Sequence, residues 1–180
     1  MIAAVALAIG FAVTSAGGAS AASATVPSGD HEIVSSALTG PNNSRECLDV
    51  TDGSTSAGAL IQIFHCRGTG PKGLPQLFDF IPTLDGNYEI LNRNSNFCLT
   101  PDPATGIVRE SLIRQEQCGP PGSGQKWAVL GDPATGFQLA NVESGNTLCL
   151  SARGGGNESD HDATALEACS TVPELELWHF

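Results

Sequence analysis

Six cysteines recur along this chain at a near-constant interval, and no other feature restricts its fold so tightly. They stand at Cys47, Cys66, Cys98, Cys118, Cys149 and Cys169. First members of successive pairs lie 51 residues apart both times, and second members lie 52 and 51 apart. Self-similarity at that period marks three copies of one supersecondary unit. Six cysteines can pair in many ways, but equivalent units bridge equivalently. The expected bridges are therefore Cys47 with Cys66, Cys98 with Cys118, and Cys149 with Cys169. Each closes a loop of about 20 residues, worth on the order of 3 kcal/mol through the entropy it removes from the unfolded chain. Such bridges persist in an oxidising exterior. Metal ligation is the competing use of cysteine. There is no C-x-x-C, and His31, His65, His161 and His179 are scattered, so neither metal nor cofactor is expected.

A second marker closes each unit: "QLF" at Gln76 to Phe78, "QKW" at Gln125 to Trp127, and "ELW" at Glu176 to Trp178. Phe78, Trp127 and Trp178 recur at intervals of 49 and 51 residues, and large rings at matching points of three units suit a shared core. Between the markers the chain reads as short strands. "ALIQIFHC" from Ala59, "NYEIL" from Asn87, "KWAVL" from Lys126 and "GFQLA" from Gly136 cluster or alternate β-formers between Gly, Pro, Asn and Asp. Nothing from residue 31 onward holds a helical period. Three all-β units, each too small to bury a core alone, imply one closed threefold body.

Residues 1–24 are apolar and small and end in overlapping A-x-A patterns at Ala19 to Ala21 and Ala22 to Ala24, which reads as a secretory signal peptide. The expected organisation is a short leader at 25–30 and one domain at 31–180, with repeats at about 31–80, 81–130 and 131–180. A secreted, extracellular protein follows. No later stretch is long and apolar enough to cross a bilayer. The chain carries 19 acids against eight Lys and Arg, a formal charge of −11. A nucleic-acid backbone needs clustered positive charge, and an anionic membrane would be repelled, so neither is an expected partner. An uncharged ligand fits better.

Taken together, C-L-D-V at the first cysteine, I-Q-I-F-H-C at the second, and Q-x-W-like closures in three copies resemble the ricin-type lectin family over essentially the whole region after the leader. The resemblance implies an all-β fold, a β-trefoil of three repeats, with up to one shallow sugar site per repeat. It also assigns roles by position. An acid two residues after the first cysteine accepts from sugar hydroxyls, a glutamine four before the second supports it, and an aromatic two before that cysteine stacks on the sugar. An Asn-Gln pair before the final aromatic completes the site. The first repeat matches with Asp49, Gln62, Phe64 and Gln76, while Pro75 stands where Asn is expected. The second repeat has Thr100, Arg114 and Glu116 at the first three positions, and the third has Ser151, Ala165 and Glu167. Repeats two and three are therefore expected to be scaffold.

The residue chemistry agrees. A sugar has hydroxyls around its rim and C–H groups on a face, so it calls for a polar acceptor beside a flat ring. Asp49 accepts and does not donate, which favours adjacent hydroxyls such as those of galactose, and a galactose- or arabinose-containing neutral glycan is the expected partner. Each assignment has a structural rival. Asp49 could cap backbone N–H groups in "DVTDG", Gln62 could be scaffold, and Phe64 could be core, although period-two alternation sets it opposite Ile61 and Ile63. His65 reads as an exposed strand residue.

Enzyme chemistry is not expected: there is no G-x-S-x-G elbow, no phosphate loop at "GGG", and no short stretch fixing two carboxylates at a catalytic spacing. The alternative function is a protein-binding or protease-inhibitor trefoil, using the glycine-rich segments 68–75 and 152–162 with Lys72 or Arg153 as anchors. Asn42 and Asn157 lie in glycan-acceptor sequons.

Overall fold

The computed structural model describes residues 24–39, 44–120, 122–153, 161–170 and 176–180. The segment read as a signal peptide lies outside these residues apart from Ala24, as do Asn42, Asn157 and most of the 152–162 loop. The described residues form thirteen strands: β1 (Asp30–Glu32), β2 (Val34–Thr39), β3 (Arg45–Val50), β4 (Ile61–His65), β5 (Leu77–Pro82), β6 (Tyr88–Asn92), β7 (Cys98–Pro101), β8 (Ile113–Glu116), β9 (Lys126–Asp132), β10 (Gly136–Asn141), β11 (Leu148–Ala152), β12 (Thr164–Ala168) and β13 (Trp178–His179). Four strands make each repeat, β2–β5, β6–β9 and β10–β13, and β1 is an addition paired to β5.

The inner two strands of every repeat form an antiparallel hairpin in one register. Asp49 stands opposite Gln62, Thr100 opposite Arg114, and Ser151 opposite Ala165. The three hairpins meet through single bridges, Leu60 to Arg114, Leu112 to Ala165 and Gln62 to Ala163, so each repeat borders the next. All three expected disulfides are present, with Cα separations of 5.1, 5.1 and 4.9 Å. Of the four strand segments expected from the sequence, those from Lys126 and Gly136 lie within β9 and β10, and those from Ala59 and Asn87 overlap β4 and β6.

Alternation places the core. Leu48, Val50, Ile61 and Ile63 point inward with Leu99, Ile113, Leu150 and Leu166 from the other hairpins. Phe78, Trp127 and Trp178 are fully buried there, each contributing about 1.5–3 kcal/mol by burial. The two indoles also donate, Trp127 Nε1 to Leu99 O and Trp178 Nε1 to Leu150 O, both at 3.2 Å.

Two segments are more ordered than their composition suggests. In the leader, Ala24 N donates to Val129 O, Val26 N donates to the Tyr88 hydroxyl, and that hydroxyl donates to Ala24 O. Val26 is buried in the core cluster. The glycine-rich segment after Cys66 forms a 3-10 turn at Pro71–Gln76 rather than a loose loop. Gly73 is required there: a Cβ would sit 1.6 Å from Gly68 O. Gly68 and Gly70 of the same segment are unconfined, and Lys72 is exposed.

Candidate functional site

The first-repeat hairpin puts Asp49 and Gln62 side by side because they are register partners on adjacent strands. Gln62 Nε2 donates to Asp49 Oδ1 at 2.8 Å. Asp49 is completely buried, and its second oxygen, Oδ2, has no hydrogen-bond partner. Such an oxygen is costly to bury, so a carboxylate held this way is primed to accept from a donor that reaches it. Burial pushes the Asp49 carboxyl above the usual carboxylate range, against the hydrogen bond from Gln62, the charge of Arg67, and smaller effects of Gln76 and His161. The local turn Thr51–Gly53 is closed by its own backbone, Ser54 N to Thr51 O.

Phe64 lies on the same face as Gln62, opposite Ile61 and Ile63, and is absent from the main core cluster despite being only 8 % exposed. Two residues that the sequence pattern did not select cover it. The guanidinium of Arg67 lies 4.2 Å above the ring centroid, and its Nη1 is 4.0 Å from Asp49 Oδ2. The ring of His161, from the third repeat, meets Phe64 edge-on at 4.9 Å, and its Nδ1 is 3.3 Å from Gln62 Oε1. Thr51 Oγ1 donates to the same oxygen at 3.2 Å, and His65 packs beside Phe64 at 4.1 Å. Asp49, Phe64 and Arg67 thus meet at one candidate seat, with Arg67 covering the ring and approaching the carboxylate. The Arg67 backbone is held in place, its N–H donating to Gln76 Oε1 at 2.7 Å.

Gln76 itself is fully buried and bonds the backbone on both sides of the disulfide, donating to His65 O as well. The second repeat repeats that arrangement: Gln125 accepts from Gly119 N and donates to Gln117 O. In the third, Glu176 accepts from Ser170 N and from Gln138 Nε2. The closing polar residue is therefore a threefold clamp on the chain that follows the second cysteine, whatever else Gln76 does. The sequence sets both overlooked residues apart from their counterparts without showing where they reach. Arg67 follows the second cysteine, where the other repeats have Gly119 and Ser170. His161 stands eight residues before a second cysteine, where they have Gly58 and Glu110.

A model of the ricin-type β-trefoil lectin domain matches residues 35–178. The chain belongs to this family. Solved ricin-type and other trefoil structures superpose on it at low sequence identity, which shows the shared fold. A designed threefold-symmetric protein, ThreeFoil, has a TM-score of 0.68 at 20 % identity, over 82 % of this chain and 95 % of that one. The C-half of the earthworm R-type lectin, solved with GalNAc, gives 0.59 at 16 % identity over 84 % and 96 %. The Rhizoctonia solani agglutinin gives 0.68 at 14 % identity over 87 % and 96 %. No curated protein sequence matches the chain. Family membership makes the chain a carbohydrate-binding, lectin-type module.

Within that family frame the other two seats are built differently. Thr100 turns its hydroxyl to Pro101 O and Ser123 O, while Arg114 is consumed by Asp102, at 2.7 Å, and Gly58 O, at 2.8 Å. The backbone N–H of Ala104 and the Arg114 guanidinium hold the Asp102 carboxyl below its ordinary range. Ser151 donates to Ala152 O, and Glu167 pairs with Arg109 at 2.6 Å. Neither has an acid at the position of Asp49, where Thr100 and Ser151 stand, or a ring at that of Phe64, where Glu116 and Glu167 stand.

Proposed function

We propose that this is a secreted lectin-type module with one weak seat, in the first repeat, for a neutral glycan ending in a galactose-type sugar. The observation that carries the reading is Asp49: a carboxylate buried completely, one oxygen held by Gln62, the other without a hydrogen bond, beside an aromatic face. A hydroxyl reaching Oδ2 would satisfy that oxygen, and the sugar's apolar face would replace the guanidinium on Phe64. Displacing Arg67 gives up a cation–π contact worth about 0.5–1 kcal/mol and its attraction to Asp49 Oδ2 at 4.0 Å, which the incoming hydroxyl must offset with its hydrogen bond to that oxygen. Gln62 fixes the carboxylate, and Gln76 fixes the backbone beside it. Three disulfides and a compact leader suit a chain that works in an oxidising exterior.

A single shallow seat with a phenyl rather than an indole wall implies a monosaccharide dissociation constant of about 0.1–1 mM, or about 4–5.5 kcal/mol. Low-affinity calorimetric titration of the oxidised protein with lactose, galactose and arabinose-bearing oligosaccharides, alongside Asp49→Ala, tests this. Saturable heat that disappears in the variant supports the reading. Absence of binding at about 20 mM sugar to folded protein, well above that constant, would sink it for those sugars and favour a protein partner.

A further inference from the structure

Threefold symmetry places one left-handed residue against the neighbouring repeat's seat. Gly58 N donates to Gln115 O and Gln115 N to Ala59 O; Glu110 N donates to Leu166 O and Leu166 N to Ser111 O; His161 N donates to Ile63 O and Ile63 N to Asp162 O. Their φ angles are 82, 67 and 81°. The backbone pattern demands that conformation, which glycine adopts freely and a side chain adopts at a cost. At Gly58 a Cβ would point towards Glu116, 3.8 Å from its Oε1, and Glu116 is the second-repeat counterpart of Phe64. At His161 the position carries an exposed imidazole that leans on Phe64 itself.

The hydrogen bonds fix how that ring is presented. An ionised Asp49 only accepts, so the Gln62 amide turns its NH2 to Asp49 and its Oε1 towards Thr51 and His161. Oε1 only accepts, so His161 Nδ1 must donate. A neutral His161 is therefore protonated on Nδ1 and keeps a lone pair on Nε2. The seat then has two acceptors at its rim and floor, His161 Nε2 and Asp49 Oδ2, with Phe64 between the elements that carry them.

Resting on the sugar reading above, we propose that His161, supplied by the third repeat, is a ligand-contacting and specificity-determining residue of the first-repeat seat, its Nε2 accepting from a hydroxyl of the sugar stacked on Phe64. The ligand class is a sugar that presents free hydroxyl donors on two sides of its stacked face. A sugar with either hydroxyl etherified would be rejected.

The test follows the imidazole nitrogens of His161 by NMR in the oxidised protein while lactose is added, with His161→Gly and His161→Asn measured in parallel. Glycine is the residue at equivalent position 58 and takes this backbone conformation freely, so His161→Gly should fold. Asparagine can still donate to Gln62 Oε1 but is shorter than the imidazole. The inference expects the Nδ1-protonated form in the free protein and a shift of Nε2 that saturates with lactose. It also expects a two- to tenfold loss of affinity in His161→Gly, the net worth of about one hydrogen bond, that His161→Asn does not restore. An Nε2 signal unmoved while other resonances saturate, or full affinity in His161→Asn, would overturn the contact and leave His161 a positioning residue for Gln62. No saturable shift anywhere would instead remove the sugar reading, and this inference with it.

Discussion

The first and second hairpins share a register, an equivalent disulfide and a closing glutamine, yet they commit their polar groups differently. At the first, Asp49 and Gln62 meet beneath Phe64 and leave an acceptor oxygen without a hydrogen bond. At the second, Thr100 and Arg114 stand in the same register, but both have turned to neighbouring scaffold: Thr100 to two carbonyls, Arg114 to Asp102 and Gly58 O. The lesson is that the fold supplies three equivalent places, and uncommitted hydrogen-bonding capacity at Asp49 sets the first apart from the second.

The bluntest way to break that comparison is to cut the staples. Replacing Cys47 and Cys66 by Ala should cost about 3 kcal/mol, and so should replacing Cys98 and Cys118, since their loops span 19 and 20 residues. Chemical unfolding should show similar losses, whereas only the first pair should also abolish lactose binding under native conditions. Equal loss of binding in both would mean that the seat is not local to the first repeat.

Next in size is Asp49→Asn. Removing a charged acceptor should weaken lactose about tenfold to a hundredfold by calorimetry, from about 1.5–3 kcal/mol for a hydrogen bond to a charged group. The same substitution tests the electrostatics. Burial raises the folded-state pKa of Asp49 above its unfolded value, so the folded form takes up the proton more readily. Its contribution to stability is full below the unfolded value and falls as pH rises through the folded one. Asp49→Asn should therefore gain on the parent protein as pH rises through that window, measured by urea unfolding at a series of pH values. A parent protein that loses relative stability towards acid at this site would contradict the burial argument.

Arg67→Ala should have the opposite sign on binding. Removing the cover from Phe64 should strengthen lactose binding about two- to fivefold, the equivalent of about 0.5–1 kcal/mol. Weaker binding would mean that the guanidinium grips the ligand instead of yielding to it. Smallest of all, Thr100→Ala and Ser151→Ala should leave lactose affinity unchanged within error, because distant, unconnected sites act independently. A change at either would restore a function to a repeat described here as scaffold.

The fold was legible because its constraints are local and periodic. Cysteine spacing reported the repeat, the closing aromatics reported the core, and alternation around Ile61 and Ile63 placed Phe64 on the opposite face. The family resemblance named Gln62 as the support of Asp49, and the two stand in register on adjacent strands. Three things were not legible because they depend on approach between distant residues. Burial of Asp49 arises from the side chains closing over it, and the cover arises from Arg67 folding back on its own strand. The reach of His161 exists only because a third-repeat loop pairs with Ile63. Gln76 shows the converse: its family position named it for the site, while its bonds to His65 O and Arg67 N match those of Gln125, in a repeat that has neither the acid nor the ring.

The most direct measurement of the central claim is an amide-shift map of the oxidised protein titrated with lactose. The account predicts saturable shifts confined to Asp49, Gln62, Phe64, Arg67, His161 and their immediate neighbours, with Thr100, Glu116, Ser151 and Glu167 unmoved. Shifts centred on the second or third hairpin, or none at about 20 mM lactose, would contradict it.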